Sequence, residues 1–302
     1  MLIDLLQALL LGIAQGLTEF IPVSSSAHLV LVPALLGFPS RGLAFDVALH
    51  VGTFGAVLVF FRTELVVLAR SLTGREDSHE ARVYRRLALL IVLATVPVSV
   101  VGLALEPLIA ESFERPVVAA LFLLVTAAIL LVGERARDRR VSRAPVTAGT
   151  LGKVGRATPG LPLGDDPADP TGRTLEQVTL REALLIGVGQ CLALLPGVSR
   201  SGTTIVTGMA AGLTREAATR FSFLLSLPVL VGAAVLSAPD LIAAEAQQTV
   251  SFGEVVVGVL SAFISGYAAM RFLIRMVAHA RLTVFARYCA VTGVLALLIL
   301  AF

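Results

Sequence analysis

Two short stretches collect most of the residues able to do chemistry. The first, GIAQGLTEFIPVSSSAHLV, holds Gln15, Glu19, Ser24, Ser25, Ser26 and His28; the second, LLPGVSRSGTTIV, holds Ser199, Arg200, Ser201, Thr203 and Thr204. Gln15 and Glu19 stand one helical turn apart and share a face. In each stretch a proline breaks the chain, and a serine cluster then suits the N-cap of a new helix. Two helix N-termini, seven hydroxyls and the planar fork of Arg200 around one cavity make an anion site, best suited to phosphate oxygens. Glu19 would repel a diphosphate there unless a divalent cation, Mg²⁺ or Ca²⁺, bridges the two or the carboxyl carries a proton; Glu19 and Gln15 are the candidate metal ligands. Ser25 and His28, three apart at a helix start, suit a nucleophile and its proton partner. Direct attack by a metal-activated water is the rival.

The remaining polar candidates are weaker. Asp46 and His50, four apart in the following apolar run, read equally well as support for the site or as a helix–helix contact. His79 and His279 lie in basic segments and read as bystanders. Cys191 and Cys289, the only cysteines, sit in apolar stretches and read as small core residues, too few for a disulfide framework or a zinc site.

These groups must be positioned inside a membrane. The chain has 302 residues, 56% hydrophobic and 15% charged, with mean hydropathy +0.89. A water-soluble domain carries roughly 25% charged residues, so this composition excludes one. Apolar runs at 44–61, 87–105, 116–133, 221–238, 252–270 and about 284–302 approach the ~20 residues of a span. Regions 5–36 and 182–212 break in the middle into halves of ~10–14 residues, which suits re-entrant hairpins. The N-terminus lacks the basic region and cleavage site of a signal peptide and reads as part of the fold.

Of the 24 Lys and Arg, 21 fall in segments 62–86, 134–181, 212–221 and 271–287. The positive-inside rule places those segments in the cytoplasm and both termini outside. Segment 134–181 reads as a cytoplasmic loop, with attraction to anionic lipid as a secondary reading.

An internal repeat follows. Gly12, Gln15, Leu17, Ser24, Ser26 and Gly37 recur at an offset of 175 as Gly187, Gln190, Leu192, Ser199, Ser201 and Gly212. Each half then has one hairpin and three spans, an odd number, so the halves are inverted and their tips meet near the midplane. The expected architecture is a single all-α membrane domain of six transmembrane helices and two re-entrant hairpins, with repeats 1–133 and 182–302 around loop 134–181.

With these motifs in place, the sequence resembles the undecaprenyl-diphosphatases of the bacitracin-resistance type. QGLTEFIPVSSSAHL at 15–29 and LPGVSRSGTT at 195–204 match that family's (E/Q)xxxE and PGxSRSxxT signatures; QCLALLPG and FSFLLSLP are also similar. The resemblance implies functional roles for Glu19, Ser25, His28, Ser199, Arg200 and Thr204, and a site open to the external face of a bacterial cell membrane. Gln15 stands where the family more often has a first glutamate, and Ser26-Ala27 where Thr-Gly is frequent. The implied partners are a polyprenyl diphosphate lipid and the membrane, no nucleic acid, with a homodimer left open. The implied reaction removes the terminal phosphate and recycles the carrier lipid for cell-wall synthesis. An inverted-repeat transporter, or a flippase for the same anionic lipid, is the alternative.

Overall fold

The computed structural model describes residues 2–39, 41–105, 107–109, 115–143, 169, 172–246, 250–277 and 281–301. Among them the regular structure is helical apart from one isolated bridge between Arg173 and Leu213. In chain order the helices are α1 (Leu2–Phe20), α2 (Ser25–Leu36), α3 (Gly42–Phe60), α4 (Arg62–Leu72), α5 (His79–Ala104) and α6 (Pro116–Arg143). There follow α7 (Leu180–Gln190), α8 (Arg200–Ala210), α9 (Arg215–Ala246), α10 (Phe252–Val277) and α11 (Thr283–Leu300). A short 3₁₀ turn, Cys191–Leu194, continues α7.

Five of these, α1, α5, α6, α10 and α11, are long and apolar enough to cross a bilayer. The pair Phe45–Phe60 and Arg62–Leu72, bent by 75°, makes a sixth if it counts as one span. Leu89, Val92, Val96, Val100, Val132 and Ile264 face outward, an apolar exterior that only lipid tolerates. The protein is an all-α, multi-pass integral membrane protein.

Helix pairing follows small residues, as expected where lipid supplies no hydrophobic drive between helices. Helix α1 lies on α10, and a Cβ at Gly12 would stand 2.3 Å from the Gly258 carbonyl oxygen. Helix α7 lies on α5 in the same way, and a Cβ at Gly187 would stand 2.2 Å from the Ala94 carbonyl oxygen. Further pairs are α3 with α10, α9 with α5, α6 with α11 and α3 with α9.

Two expectations need adjusting. The first arm of the leading hairpin is no half-helix: α1 runs 19 residues, because its apolar run starts at Leu2 and meets no break before Pro22. Nor does a loop begin at 134. Helix α6 continues to Arg143, and Glu134 and Arg137 are buried, 1% and 6% exposed, because Glu134 pairs with Arg215 and Arg137 faces Asp169. Residues 144–168 of the expected loop, and His279, lie outside the described residues.

Candidate active site

The two breaks are built alike. After α1 the chain turns through Pro22, and Ser24 takes a positive φ of 67°, costly for a residue with a Cβ. Its hydroxyl accepts from the Ala27 N–H at 3.3 Å and caps α2. After α7 the chain turns through Pro196 and Gly197, whose φ of 98° suits a glycine. The Ser199 hydroxyl accepts from the Gly202 N–H at 3.0 Å and caps α8. Ser24 and Ser26 share a hydrogen bond of 3.1 Å, and Ser199 and Ser201 one of 3.2 Å. The tips also bond to each other. The Gly197 N–H donates to Ser26 Oγ at 3.2 Å, and Ser201 Oγ–H donates to the Ile21 carbonyl at 3.4 Å. Two helix N-termini are thereby held side by side, their partial positive charges together.

Glu19 lies where they meet. It is 7% exposed, and four side chains converge on its carboxylate. Ser25 Oγ–H donates to Oε2 at 2.6 Å, Gln15 Nε2 donates to the same oxygen at 3.1 Å, and Arg200 pairs with Oε1. His50 Nε2, from α3, stands 3.6 Å from Oε2, while its Nδ1 is 2.7 Å from the Asp46 carbonyl. That carbonyl can only accept, so Nδ1 carries the proton and Nε2 faces Glu19. One cavity is lined by Glu19, Ser24, Ser25, Ser26, Asp46, His50, Ser199 and Arg200, with Leu29, Val47, Ala193, Val198, Val229 and Leu230 as an apolar wall.

Some expected residues point elsewhere. His28 does not meet Ser25. Its Nδ1 bonds the Ser24 carbonyl at 2.7 Å and its Nε2 the Tyr288 hydroxyl at 2.7 Å, with the two rings stacked. Both ring nitrogens are therefore engaged, and His28 ties the strained Ser24 to α11. Thr203 Oγ–H turns back to the Ser199 and Arg200 carbonyls, at 3.0 and 2.9 Å. Thr204 bonds the Arg200 carbonyl at 2.8 Å and the Ser222 hydroxyl at 2.6 Å; Arg200 Nη1 reaches the Ser222 carbonyl at 3.4 Å. These threonines, with Ser201, brace the second tip rather than line the cavity. His79 is exposed, 3.8 Å from Glu176, and both cysteines are free thiols.

One bracing residue carries no sequence signal. Thr126 of α6 donates to the Gly197 carbonyl at 2.8 Å and accepts from the Ser199 N–H at 3.0 Å, satisfying two backbone groups of the second tip. Within an apolar run it looks like any threonine in a span; only the tip's position reveals its work.

A divalent cation would need oxygen ligands. Gln15 Oε1 is buried and has no hydrogen-bond partner, and its orientation is fixed because its Nε2 serves Glu19. An unpaired buried acceptor beside a carboxylate fits a cation held by Gln15 and Glu19. Among the described residues no three His, Cys, Asp or Glu converge as a ready-made metal cage. The pair would thus be a partial shell, completed by water or phosphate oxygens.

Comparison with known proteins gives a consistent result. The family described as bacitracin resistance protein BacA matches residues 8–295. An undecaprenyl-diphosphatase of Geotalea daltonii is 38% identical over 301 residues, covering 99% of both chains. One of Acidiphilium cryptum is 40% identical over 303 residues, 98% of each chain, and one of Mycobacterium avium is 42% identical over 312 residues, 95% of this chain and 94% of its own.

Proposed function

Since the chain belongs to the bacitracin resistance protein BacA family, we propose that it hydrolyses undecaprenyl diphosphate to undecaprenyl phosphate and inorganic phosphate. That reaction recycles the carrier lipid for cell-wall synthesis and underlies resistance to bacitracin. The observation that carries this reading is the convergence of Ser25 and Arg200, from two different helix N-termini, on the single carboxylate of Glu19.

The chemistry follows from an exchange of partners. Arg200 is paired with Glu19. An entering diphosphate offers its guanidinium a bidentate partner of higher charge. Glu19, already the acceptor of the Ser25 hydroxyl, is placed to take its proton. Ser25 Oγ attacks the terminal phosphorus as its proton passes to Glu19. The bond from that phosphorus to the bridging oxygen breaks, and undecaprenyl phosphate leaves. Water then attacks the phosphoserine, releasing inorganic phosphate and restoring the Ser25 hydroxyl. Arg200 and the N–H groups of the two tips stabilise charge on the transferring group. Gln15 and Glu19 would hold a divalent cation, which when bound supplies charge neutralisation of the diphosphate. His28 acts by fixing the Ser24 backbone, and His50 faces Glu19 as a neighbouring proton acceptor.

The orientation belongs to the same proposal: basic segments in the cytoplasm of a bacterial cell, termini and cavity mouth on the external face, as the distribution of arginine supports. Two inverted halves, 1–133 and 182–302, are supported by the matching pairs α1 on α10 and α7 on α5. The test is phosphate release from undecaprenyl diphosphate by the detergent-solubilised protein. Release that stops with EDTA and returns with Mg²⁺ or Ca²⁺ is expected. No release contradicts the reading, and release indifferent to EDTA removes the cation from it.

A further inference from the structure

The phosphate-facing helix α8 is held at its far end as deliberately as at its tip. Two guanidinium groups take backbone carbonyls at its last turn and just beyond it. Arg140 Nη1 donates to the Met209 carbonyl at 2.9 Å and its Nη2 to the Leu213 carbonyl at 3.3 Å. Arg173 Nη2 donates to the Ala211 carbonyl at 2.6 Å. Each arginine is in turn paired with a buried carboxylate: Arg140 with Asp169, and Arg173 with Glu182. The backbone closes the same corner, since Arg173 N–H donates to the Gly212 carbonyl at 2.9 Å and Thr214 N–H to the Arg173 carbonyl at 3.0 Å. Gly212 sits at φ 108°, where a Cβ would stand 2.8 Å from Arg173 Nη2. Glu182 also accepts from the Thr179 N–H at 2.7 Å, capping the start of α7. One carboxylate therefore anchors both arms of the second hairpin.

We propose that Arg140, Asp169, Arg173 and Glu182 form a positioning clamp for the active site, acting through α8 on Arg200. Helix α8 has 11 residues, so its ends are about 16 Å apart. Charge-paired forks fix the register of the helix, and with it the place of Arg200 and of the N–H groups beside Ser199. Asp169 and Arg173 thus give the far end of segment 134–181 a task in catalysis that its sequence does not suggest. None of the four touches the cavity, so they are positioning residues rather than catalytic ones.

This proposal rests on the phosphatase reading, and its test separates the two. In the full-length, detergent-solubilised protein, Asp169→Asn keeps the shape of the side chain and removes its charge. The expected result is a fall in kcat of about three- to tenfold and a similar weakening of inorganic pyrophosphate binding, because the Arg140 fork loses the partner that holds it on the backbone carbonyls behind α8. Added to Arg200→Lys, Asp169→Asn should cause little further loss in either, because both act through one group. Pyrophosphate binding reads the clamp without hydrolysis, whereas a wild-type protein that releases no phosphate from the lipid sinks the functional reading alone. If Asp169→Asn does not fold, Arg173→Lys, which keeps the charge and loses the fork, takes its place with the same expected losses. Unchanged binding and turnover in the folded variant, or full additivity with Arg200→Lys, would overturn the clamp.

Discussion

The first and second tips share a scaffold and differ where chemistry is needed. At an offset of 175, Ser24 matches Ser199 and Ser26 matches Ser201, and each pair makes the same cap and the same internal hydrogen bond. The residue between them is Ser25 in one tip and Arg200 in the other. Glu19 has Leu194 as its counterpart, and His28 has Thr203. The shared positions build two serine-capped helix N-termini. The divergent ones divide the labour: a hydroxyl on one side, a permanent cation on the other, and one carboxylate contacting both. The supports differ too. The first tip leans on α11 through His28 and Tyr288, and the second on α6 through Thr126.

If the division of labour is right, removing the shared carboxylate should do the most damage. Glu19→Gln should lower turnover by more than about 10³, since the base for Ser25 is gone. Helical circular dichroism should be retained; substantial activity in this variant would mean that the tips act independently of Glu19.

Next in size is the second tip's own contribution. Arg200→Lys keeps the charge but loses the fork, and turnover should fall by roughly 10²–10³. Near-normal turnover would show that a point charge suffices and that the tip contributes mainly its backbone N–H groups.

The smallest effect is expected from the support behind that tip. Thr126→Val removes the partner of the Gly197 carbonyl and of the Ser199 N–H. The melting temperature should drop, at about 1–3 kcal/mol for each buried group left unpaired. Turnover should fall by about tenfold as the tip loosens. A matching loss from disturbing the first tip alone would erase the distinction between the two supports.

Much of this was legible in the sequence because its causes are local. Pro22 and Pro196 stand between two helices, and a serine just after each break caps the next helix, whereas Pro33 and Pro97 sit within α2 and α5. The cavity's main residues, Glu19, Ser25 and Arg200, could be named from those breaks. The partnership of Ser25 with His28 could not be judged in the same way. Spacing places both on one face of α2, but Ser25 reaches back to Glu19, and the His28 ring is drawn to the Ser24 carbonyl and Tyr288. Spacing alone leaves His50 open to support of the site or a helix contact, and only the packing of α3 brings it to Glu19. Thr126 and the arginines behind α8 depend wholly on tertiary placement. Helix α1 exceeds the ~10–14 residues expected of half of region 5–36, because it starts at Leu2 and runs unbroken to Phe20.

The central claim is that the first tip supplies the nucleophile and the second the electrophilic support. Phosphate release from undecaprenyl diphosphate by Ser25→Ala measures it most directly. A covalent role for Ser25 predicts a loss well beyond the ~10²–10³ of one missing hydrogen-bond donor, with no phosphoserine formed at any time. A Ser25→Ala protein that keeps a tenth of wild-type turnover would contradict it and leave attack by water as the route.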